Sequence, residues 1–130
     1  MSFFTNIPED KVLFKRRHFF FIWDSYPVSP GYILIVSNSE KNDFFSLNQE
    51  EQAELPKMIR IAKKIIEENF QPDGYNIGMN CGKVAGQTVM HYHCHVIPRY
   101  EGDMNDPKGG IRHCIMGKGY YSLTNFDTIK

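Results

Sequence analysis

The sequence lacks an excess of charge of either sign. Of its 130 residues, 15 are lysine or arginine and 15 are aspartate or glutamate, so the formal net charge is zero. Proteins that hold nucleic acids through their overall charge carry a clear excess of basic residues. We therefore expect no nucleic acid partner, and any anionic ligand must be bound by a local set of groups.

Cysteine is also scarce, and long hydrophobic runs are absent. The three cysteines form no CxxC pair, so they predict neither a disulfide framework nor a thiolate zinc site. The longest apolar runs, Phe19 to Trp23 and Tyr32 to Val36, have five residues each and are too short to span a bilayer. The first residues show no secretory signal. We expect a soluble, cytoplasmic protein without a membrane partner.

Hydrophobic residues nevertheless make up 42% of the chain and aromatic residues 14%, which excludes a disordered chain. A chain of 130 residues without repeats or low-complexity segments is typical of one domain. We expect a single domain over residues 1–130, with a loose leader at 1–8 and an irregular, glycine-rich tail at 101–130.

Five segments have the composition of short strands. They are Lys11 to Arg17, His18 to Asp24, Tyr32 to Val36, Tyr75 to Met79 and Met90 to Pro98. The short connections between the first three favour antiparallel pairing. After the third strand, apolar residues recur at steps of three and four, which predicts one long helix against the sheet. The expected fold class is α+β, with a five-stranded antiparallel sheet covered by one long helix.

The predicted helix has two features near its start. Ser46, followed by Gln49 three positions later, forms a capping-box pattern, and Asn48 offers an alternative cap. Pro56 lacks the amide donor of the helical hydrogen bond and clashes with the preceding turn, so it predicts a kink or a break.

Three of the five histidines fall within five residues, as His91, His93 and His95. Successive side chains of a strand point to opposite faces, so steps of two place the three imidazoles on one face. Tyr92 and Cys94 then lie on the other face, where we expect Cys94 to be buried packing and not a nucleophile.

Three interpretations of this row remain open on the residues alone. It is a polar outer face of a strand, or it is a metal site, since imidazole binds zinc and iron and Asp24, Glu101 and Asp103 are at hand. In the third interpretation, one histidine is a nucleophile and its neighbours fix its tautomer or protonate a leaving group. The loop GKVAGQT before the strand favours the third, because its amides and polar side chains suit the oxygens of a phosphoryl group.

The run AGQTVMHYHCHVIPR resembles the histidine triad (HIT) family of nucleotide hydrolases and transferases, whose mark is three alternating histidines followed by apolar residues. The run WDSYPVSPGYILIV is similar to the family's second and third strands, and the helix and NIGMN follow in the expected order. The resemblance covers about residues 11–100 and is strongest to members that act as dinucleoside polyphosphate hydrolases. Many members carry a histidine after the PG turn, where this chain has Tyr32.

The resemblance implies a role for each matching residue. His93 would attack the α-phosphorus of a nucleoside phosphate and form a nucleotidyl-histidine intermediate, which water then cleaves. His91 would hold the His93 ring through its backbone carbonyl, and His95 would bind phosphate or the leaving oxygen. The remaining matches are Asn80, Gln87 and Thr88 as phosphate and leaving-group contacts, Asp24 as a ribose ligand, and Phe21, Ile22 and Trp23 as candidates to enclose the base. On the residues alone, core packing is favoured for Trp23 and the phenylalanines, because alternation puts at least half of them on the face away from any site. A turn after the strand explains Asp24 equally well.

The resemblance further implies a homodimer and a small-molecule nucleotide substrate. The expected function is hydrolysis of a dinucleoside polyphosphate or a nucleoside phosphoramidate, which releases a nucleoside monophosphate. The alternatives are nucleotidyl transfer from the same intermediate and nucleotide binding without catalysis. No metal or other cofactor is required, although magnesium can accompany a polyphosphate substrate.

Overall fold

The structure is a computed structural model that describes residues 2–122. The described residues fall into two compact parts, residues 2–100 and residues 101–122. The first part holds every strand and the long helix, and the single-domain organisation expected for the whole chain stays a prediction. None of the helices within residues 2–122 has the length and apolar character needed to cross a membrane.

Five strands form one open antiparallel sheet. In chain order they are β1 (Phe14–Lys15), β2 (Phe19–Trp23), β3 (Ile33–Ser37), β4 (Gly74–Gly78) and β5 (His93–Arg99). Their order across the sheet is β1-β2-β3-β5-β4, and every neighbouring pair is antiparallel. This confirms the predicted fold class. The histidine strand β5 lies inside the sheet, with a hydrogen-bonded strand on each side.

One helix, α1 (Gln49–Asn69), packs on one face of the sheet. It begins after Asn48, whose side chain accepts a hydrogen bond from the Glu51 amide while the Glu51 carboxylate accepts one from the Asn48 amide, each 2.8 Å long. Such a cap stabilises a helix by about 1 kcal/mol. The capping box predicted at Ser46 is therefore wrong, and the alternative at Asn48 is right. Pro56 predicted a kink or a break. The break is wrong, because α1 continues through this exposed proline with buried apolar residues before and after it, and the kink stays a prediction.

Alternation of side chains divides the sheet into two faces. The inner face packs on α1. Burying one large apolar side chain between the two stabilises the fold by about 1.5–3 kcal/mol. The outer face carries a second apolar cluster, and β5 places His93 and His95 on this face, opposite Val36 and Leu34 of β3. The inner core is formed by Phe19, Phe21, Ile33, Ile35, Leu47, Leu55, Met58, Ala62, Ile66, Tyr92, Cys94 and Val96. The outer cluster is formed by Phe4, Phe20, Ile22, Tyr32, Leu34 and Val36.

All five strands differ from the predicted bounds, β2, β3 and β4 by one residue at each end, and β1 and β5 by more. β1 has only two residues, and a short 3-10 helix (Glu9–Lys11) ends at the first residue of the segment predicted as a strand. β5 begins at His93, so His91 precedes the strand. The His91 side chain still lies beside His93, since the Phe4 ring contacts both imidazoles, with centroid distances of 5.6 and 5.0 Å.

The N-terminal residues pack on the sheet. Phe4 is buried in the outer cluster, and the Ser2 hydroxyl lies 2.6 Å from His91 Nδ1. The expectation of a loose leader over residues 1–8 is wrong at these two residues, because an unpacked Phe4 would leave a large ring in water next to an apolar sheet face.

The described portion of the second part, residues 101–122, has no strand and contains one short 3-10 helix (Gly110–Cys114). The Arg112 guanidinium donates hydrogen bonds to the carbonyl oxygens of Lys118 and Gly119, each 3.2 Å long. This agrees with the predicted irregular tail as far as residue 122. Residues 123–130 of that tail lie outside the described residues.

Gly31, in the turn before β3, offers a test of how this turn is built. Its φ of +86° is in the left-handed region, and an added Cβ would lie 3.0 Å from the Phe70 ring. We expect Gly31→Ala to lower the free energy of unfolding by about 1–3 kcal/mol in urea denaturation, because both backbone strain and crowding are introduced. Gly74→Ala is the control, since nothing lies within 4 Å of its Cβ position. Equal losses in the two variants would show that Gly31 has no special requirement.

Candidate active site

The predicted imidazole row is present on the outer face of the sheet. The ring centroids of His93 and His95 are 5.1 Å apart. Cys94 between them is buried in the inner core, and burial raises the pKa of its thiol to about 11. The thiol therefore stays protonated and faces away from the imidazoles, as the alternation of a strand requires.

His91 supports the row. It is buried, with Nε2 2.8 Å from the Ser37 carbonyl oxygen and Nδ1 2.6 Å from Ser2 Oγ. A carbonyl oxygen only accepts, so Nε2 carries the proton and Nδ1 accepts a hydrogen bond from the Ser2 hydroxyl. Because both ring nitrogens are engaged, His91 acts on its neighbours through its backbone.

His93 has the arrangement of a nucleophile. Its Nδ1 lies 2.8 Å from the His91 carbonyl oxygen, so this nitrogen carries the proton and Nε2 keeps its lone pair. Burial lowers the pKa of His93 and the nearby His91 ring adds to the lowering, while the bond to the His91 carbonyl and the Asp24 carboxylate oppose it. The neutral ring is therefore favoured at neutral pH.

His95 forms its hydrogen bond with a tyrosine hydroxyl, whereas His91 and His93 each bond a backbone carbonyl. Its Nδ1 lies 2.5 Å from Tyr32 Oη, and its buried Nε2 has no hydrogen-bond partner within residues 2–122. Burial lowers the pKa of His95, the His93 ring adds to the lowering, and Asp24 opposes it. A buried nitrogen without a partner on this face is a group that a ligand can satisfy.

The loop between β4 and β5 is shaped by two glycines and one glutamine. Gly82 and Gly86 have φ angles of +98° and +96°. Gln87 is buried; its Oε1 accepts a hydrogen bond from the Gly82 amide at 2.8 Å, and its Nε2 donates to the carbonyls of Asn42 at 2.6 Å and Val89 at 3.1 Å. Its amide is thus fully used within the protein. In this state Gln87 holds the loop, and the phosphate contact predicted for it requires an exchange of these bonds.

Two further predicted phosphate ligands, Asn80 and Thr88, have exposed side chains. Asn80 follows β4, and extending the register that pairs Gly78 with His95 puts Asn80 beside His93. Thr88 is exposed in the loop before β5. Both side chains are therefore open to solvent, and the phosphate contact expected of each stays a prediction.

Asp24, the predicted ribose ligand, directly follows β2. Its Oδ2 accepts a hydrogen bond from the Tyr26 amide at 3.1 Å, so it also forms a turn. Ile22 lies on the outer face, but Phe21 belongs to the inner core and Trp23 packs on the ring at the end of α1. The role at the base that the resemblance implied for Phe21 and Trp23 is wrong, and the core packing favoured on the residues alone is right, because alternation turns both away from the imidazole row.

Sequence reasoning missed the contribution of the N-terminus. The Phe4 ring packs edge-on against the rings of His91 and His93, and Ser2 bonds His91. The available signal is the pair Phe3 and Phe4 in a segment assigned as loose, since large aromatic side chains dominate core packing. A cavity of about 350 Å³ lies beside this segment, with walls that include Phe4, Ile7, Lys15, Phe20 and His91.

A metal site in the row would need several ligands close together. Within residues 2–122, no group of three histidine, cysteine or acidic side chains is arranged to hold a metal ion. His91 already bonds Ser37 and Ser2 through its two ring nitrogens.

The neutral state of His93 and His95 predicts how stability depends on pH. Both pKa values are lowered in the folded protein, whereas histidine in an unfolded chain titrates near about 6.5. Below that pH the unfolded chain binds protons that the folded chain does not. The stabilising contribution of the two neutral rings should therefore be fully present above about pH 6.5 and be lost as the pH falls below it. We expect urea midpoints to decrease between about pH 7 and pH 5. In a double variant with His93→Gln and His95→Gln, the urea midpoint should decrease less over the same pH range. A decrease as large as that of the wild type would show that these two histidines do not cause the pH dependence.

Comparison with known proteins shows which family and which proteins this chain is similar to. The model of the HIT domain matches residues 5–102. An AP-4-A phosphorylase from Mycobacterium tuberculosis is 32% identical over 108 residues, which are 78% of this chain and 55% of the relative. An asymmetrical bis(5'-nucleosyl)-tetraphosphatase from Schizosaccharomyces pombe is 34% identical over 80 residues, which are 62% of this chain and 44% of the relative.

A solved structure agrees with the sequence comparison. The crystal structure of a member of the HIT family from Bacillus subtilis matches with a TM-score of 0.70 and 25% identity, and covers 95% of this chain and 79% of its own. The chain spans about half the length of the two curated relatives, 55% and 44%.

Proposed function

This chain belongs to the histidine triad (HIT) family, and on that premise we propose that it hydrolyses a nucleoside phosphate through a nucleotidyl-histidine intermediate. The substrates are dinucleoside polyphosphates or nucleoside phosphoramidates, and the product is a nucleoside monophosphate. The observation that carries the proposal is the 2.8 Å bond from His93 Nδ1 to the His91 carbonyl, which fixes the tautomer whose Nε2 is a nucleophile.

In the first step, the lone pair of His93 Nε2 forms a bond to the α-phosphorus, and the bond from phosphorus to the leaving group breaks. The electron pair of that bond departs on the leaving oxygen or nitrogen, and a leaving nitrogen also takes up a proton. The His93 ring keeps its Nδ1 proton and becomes positively charged, so its bond to the His91 carbonyl strengthens.

In the second step, water bonds to phosphorus and the phosphorus–nitrogen bond breaks, with its electron pair returning to His93 Nε2. The proton of the attacking water passes to solvent, and a nucleoside monophosphate is released. Two displacements thus replace a single more difficult one. With inorganic phosphate in place of water the product is a nucleoside diphosphate, and the relative named AP-4-A phosphorylase favours this transfer as the second candidate function.

The proposed substrate ligands are three polar side chains outside the imidazole row. Asn80 and Thr88 offer exposed polar side chains to phosphate or leaving group, and the Asp24 carboxylate accepts from ribose hydroxyls. Gln87 shapes the loop that carries Thr88. For the base, the proposed contact is Ile22, which lies on the outer face of the sheet two residues before Asp24.

We further propose a homodimer in the cytoplasm, with small-molecule nucleotides as ligands and neither nucleic acid nor membrane as partner. β4 is at an edge of the sheet, and an edge strand offers backbone groups to a second copy. The nucleophile requires no cofactor; magnesium would accompany a polyphosphate substrate and offset its charge.

A single-turnover experiment on the purified chain tests the proposal. An excess of protein is mixed with α-labelled diadenosine tetraphosphate, adenosine 5'-phosphoramidate or their guanosine counterparts, then quenched and digested for mass spectrometry. We expect labelled His93 that decays to the nucleoside monophosphate in water. Faster decay to the diphosphate when phosphate is added would favour transfer. Reversible binding without label at any time would overturn the enzymatic proposal in favour of nucleotide binding alone.

A further inference from the structure

A tyrosine–histidine pair beside the nucleophile bears on the leaving group. Tyr32 lies at the entry to β3, and its hydroxyl is 2.5 Å from His95 Nδ1. We propose that Tyr32 is a positioning residue that holds His95 as a neutral Nε2–H donor, so that the site favours substrates whose leaving group departs as a phosphate oxygen over those that release an amine. This inference rests on the proposed function and selects one of its two substrate classes.

The direction of the hydrogen bond follows from what each atom can bond. The Tyr32 hydroxyl belongs to a buried side chain, and His95 Nδ1 is the acceptor within its reach. The phenol proton needs an acceptor, and Nδ1 is one when the imidazole proton is on Nε2. The other tautomer would put a proton on Nδ1 and leave the phenol proton without that acceptor. The bond therefore selects the tautomer with Nε2–H.

This tautomer leaves a donor near the reacting atoms. His95 Nε2 is buried without a hydrogen-bond partner within residues 2–122, and the centroid of its ring lies 5.1 Å from that of His93. A buried donor without a partner is unfavourable, and an incoming acceptor recovers the lost free energy. An oxygen bonded to the phosphorus that His93 attacks would be such an acceptor.

Tyr32 also prevents His95 from transferring its Nε2 proton to a leaving group. If His95 passed its Nε2 proton to a leaving group, it would need a new proton at Nδ1, and Tyr32 is the group bonded there. Burial, followed by the charge of Asp24, raises the pKa of Tyr32 to about 12. The phenol thus keeps its proton through the neutral range, and His95 donates a hydrogen bond without transferring the proton.

The two substrate classes differ in whether the leaving group must take up a proton. When His93 attacks a dinucleoside polyphosphate, the phosphorus–oxygen bond breaks and its electron pair leaves on an oxygen of a nucleoside polyphosphate. That oxygen is stable as an anion and accepts the bond from His95. When His93 attacks a phosphoramidate, the phosphorus–nitrogen bond breaks and the leaving amine must take up a proton. The Tyr32 and His95 pair serves the first reaction and lacks the proton for the second.

Two substitutions in the full chain test the proposal. Tyr32→Phe keeps the ring and removes the hydroxyl, and Tyr32→His introduces a group that can hold a proton near neutral pH. With diadenosine tetraphosphate, we expect Tyr32→Phe to lose roughly tenfold in kcat with little change in KM. We expect Tyr32→His to shift the ratio of kcat/KM values roughly tenfold toward adenosine 5'-phosphoramidate.

Tyr75→Phe is the matched control. It also removes a tyrosine hydrogen bond, the 2.7 Å bond to Glu67 of α1, but on the side of the sheet that carries the helix. Its kcat and KM on both substrates should equal those of the wild type. Circular dichroism and thermal midpoints establish that the Tyr32→Phe variant is folded.

A second measurement reads the tautomer and does not depend on turnover. Nitrogen-15 NMR of histidine-labelled protein should show the His95 proton on Nε2 in the wild type, and a mixture of tautomers in Tyr32→Phe. The proposal is overturned if the wild type carries the proton on Nδ1, if it prefers the phosphoramidate, or if Tyr32→Phe changes neither tautomer nor kcat. Failure of the proposed function is distinct: no substrate then labels His93, while the NMR result still decides whether Tyr32 sets the tautomer.

Discussion

Replacing His93 by alanine should abolish the nucleotidyl intermediate and turnover together. The variant removes the Nε2 lone pair that the bond between Nδ1 and the His91 carbonyl keeps available. His91 cannot take over, because both its ring nitrogens are engaged. Loss of a catalytic nucleophile lowers kcat by about 10⁴- to 10⁶-fold. We expect a loss in this range on whichever nucleotide the wild type turns over.

The matched control is His18→Ala. His18 lies between β1 and β2, where its amide bonds a carboxylate oxygen of Glu54 on α1, so its imidazole belongs to neither the row nor the loop. Its kcat should stay within about twofold of the wild type. A His93→Ala enzyme that is folded by circular dichroism and retains a tenth or more of the wild-type kcat would show that another group is the nucleophile.

The imidazole row could be predicted from sequence because it depends on backbone geometry alone. A strand alternates its side chains whatever its neighbours are, so His93 and His95 had to share one face and Cys94 the other. The same rule explains the error at Phe21 and Trp23, which lie at odd steps from Asp24 and therefore face α1. The resemblance implied a set of residues around the base, and alternation decides which members of that set can reach it.

The remaining contacts join residues that are far apart in the chain, and no local pattern specifies them. The Ser2 hydroxyl reaches His91 across 89 positions, and Gln87 reaches the Asn42 carbonyl across 45. A glutamine in a loop next to a histidine motif is interpreted as a ligand as long as its hydrogen bonds are unknown. Once the structure shows those bonds satisfied inside the protein, Gln87 becomes part of the frame that positions the loop.

Gln87→Glu should therefore damage the protein although the two side chains have nearly the same shape. Gln87 Nε2 donates to the carbonyls of Asn42 and Val89 at 2.6 and 3.1 Å, and a carboxylate oxygen in that place has no proton to give. The side chain is only 4% exposed, so the new charge is also removed from water. We expect the free energy of unfolding at about pH 7.5 to fall by roughly 2–5 kcal/mol in urea. KM should rise as well, because the loop lies directly before β5.

The pH dependence of this loss separates it from a general packing defect. A carboxyl group at position 87 can donate to a carbonyl only when protonated, so its folded-state pKa should be raised above the unfolded value of about 4.3. Such a group stabilises the fold below its unfolded pKa, and this contribution is lost as pH rises through the folded pKa. The gap to the wild type should therefore narrow as pH falls from about 7.5 to about 5. The exposed Gln71→Glu is the control, with a change under about 0.5 kcal/mol. If the Gln87→Glu loss is the same at both pH values, or no larger than that of Gln71→Glu, then Gln87 does not hold the loop through its two donated hydrogen bonds.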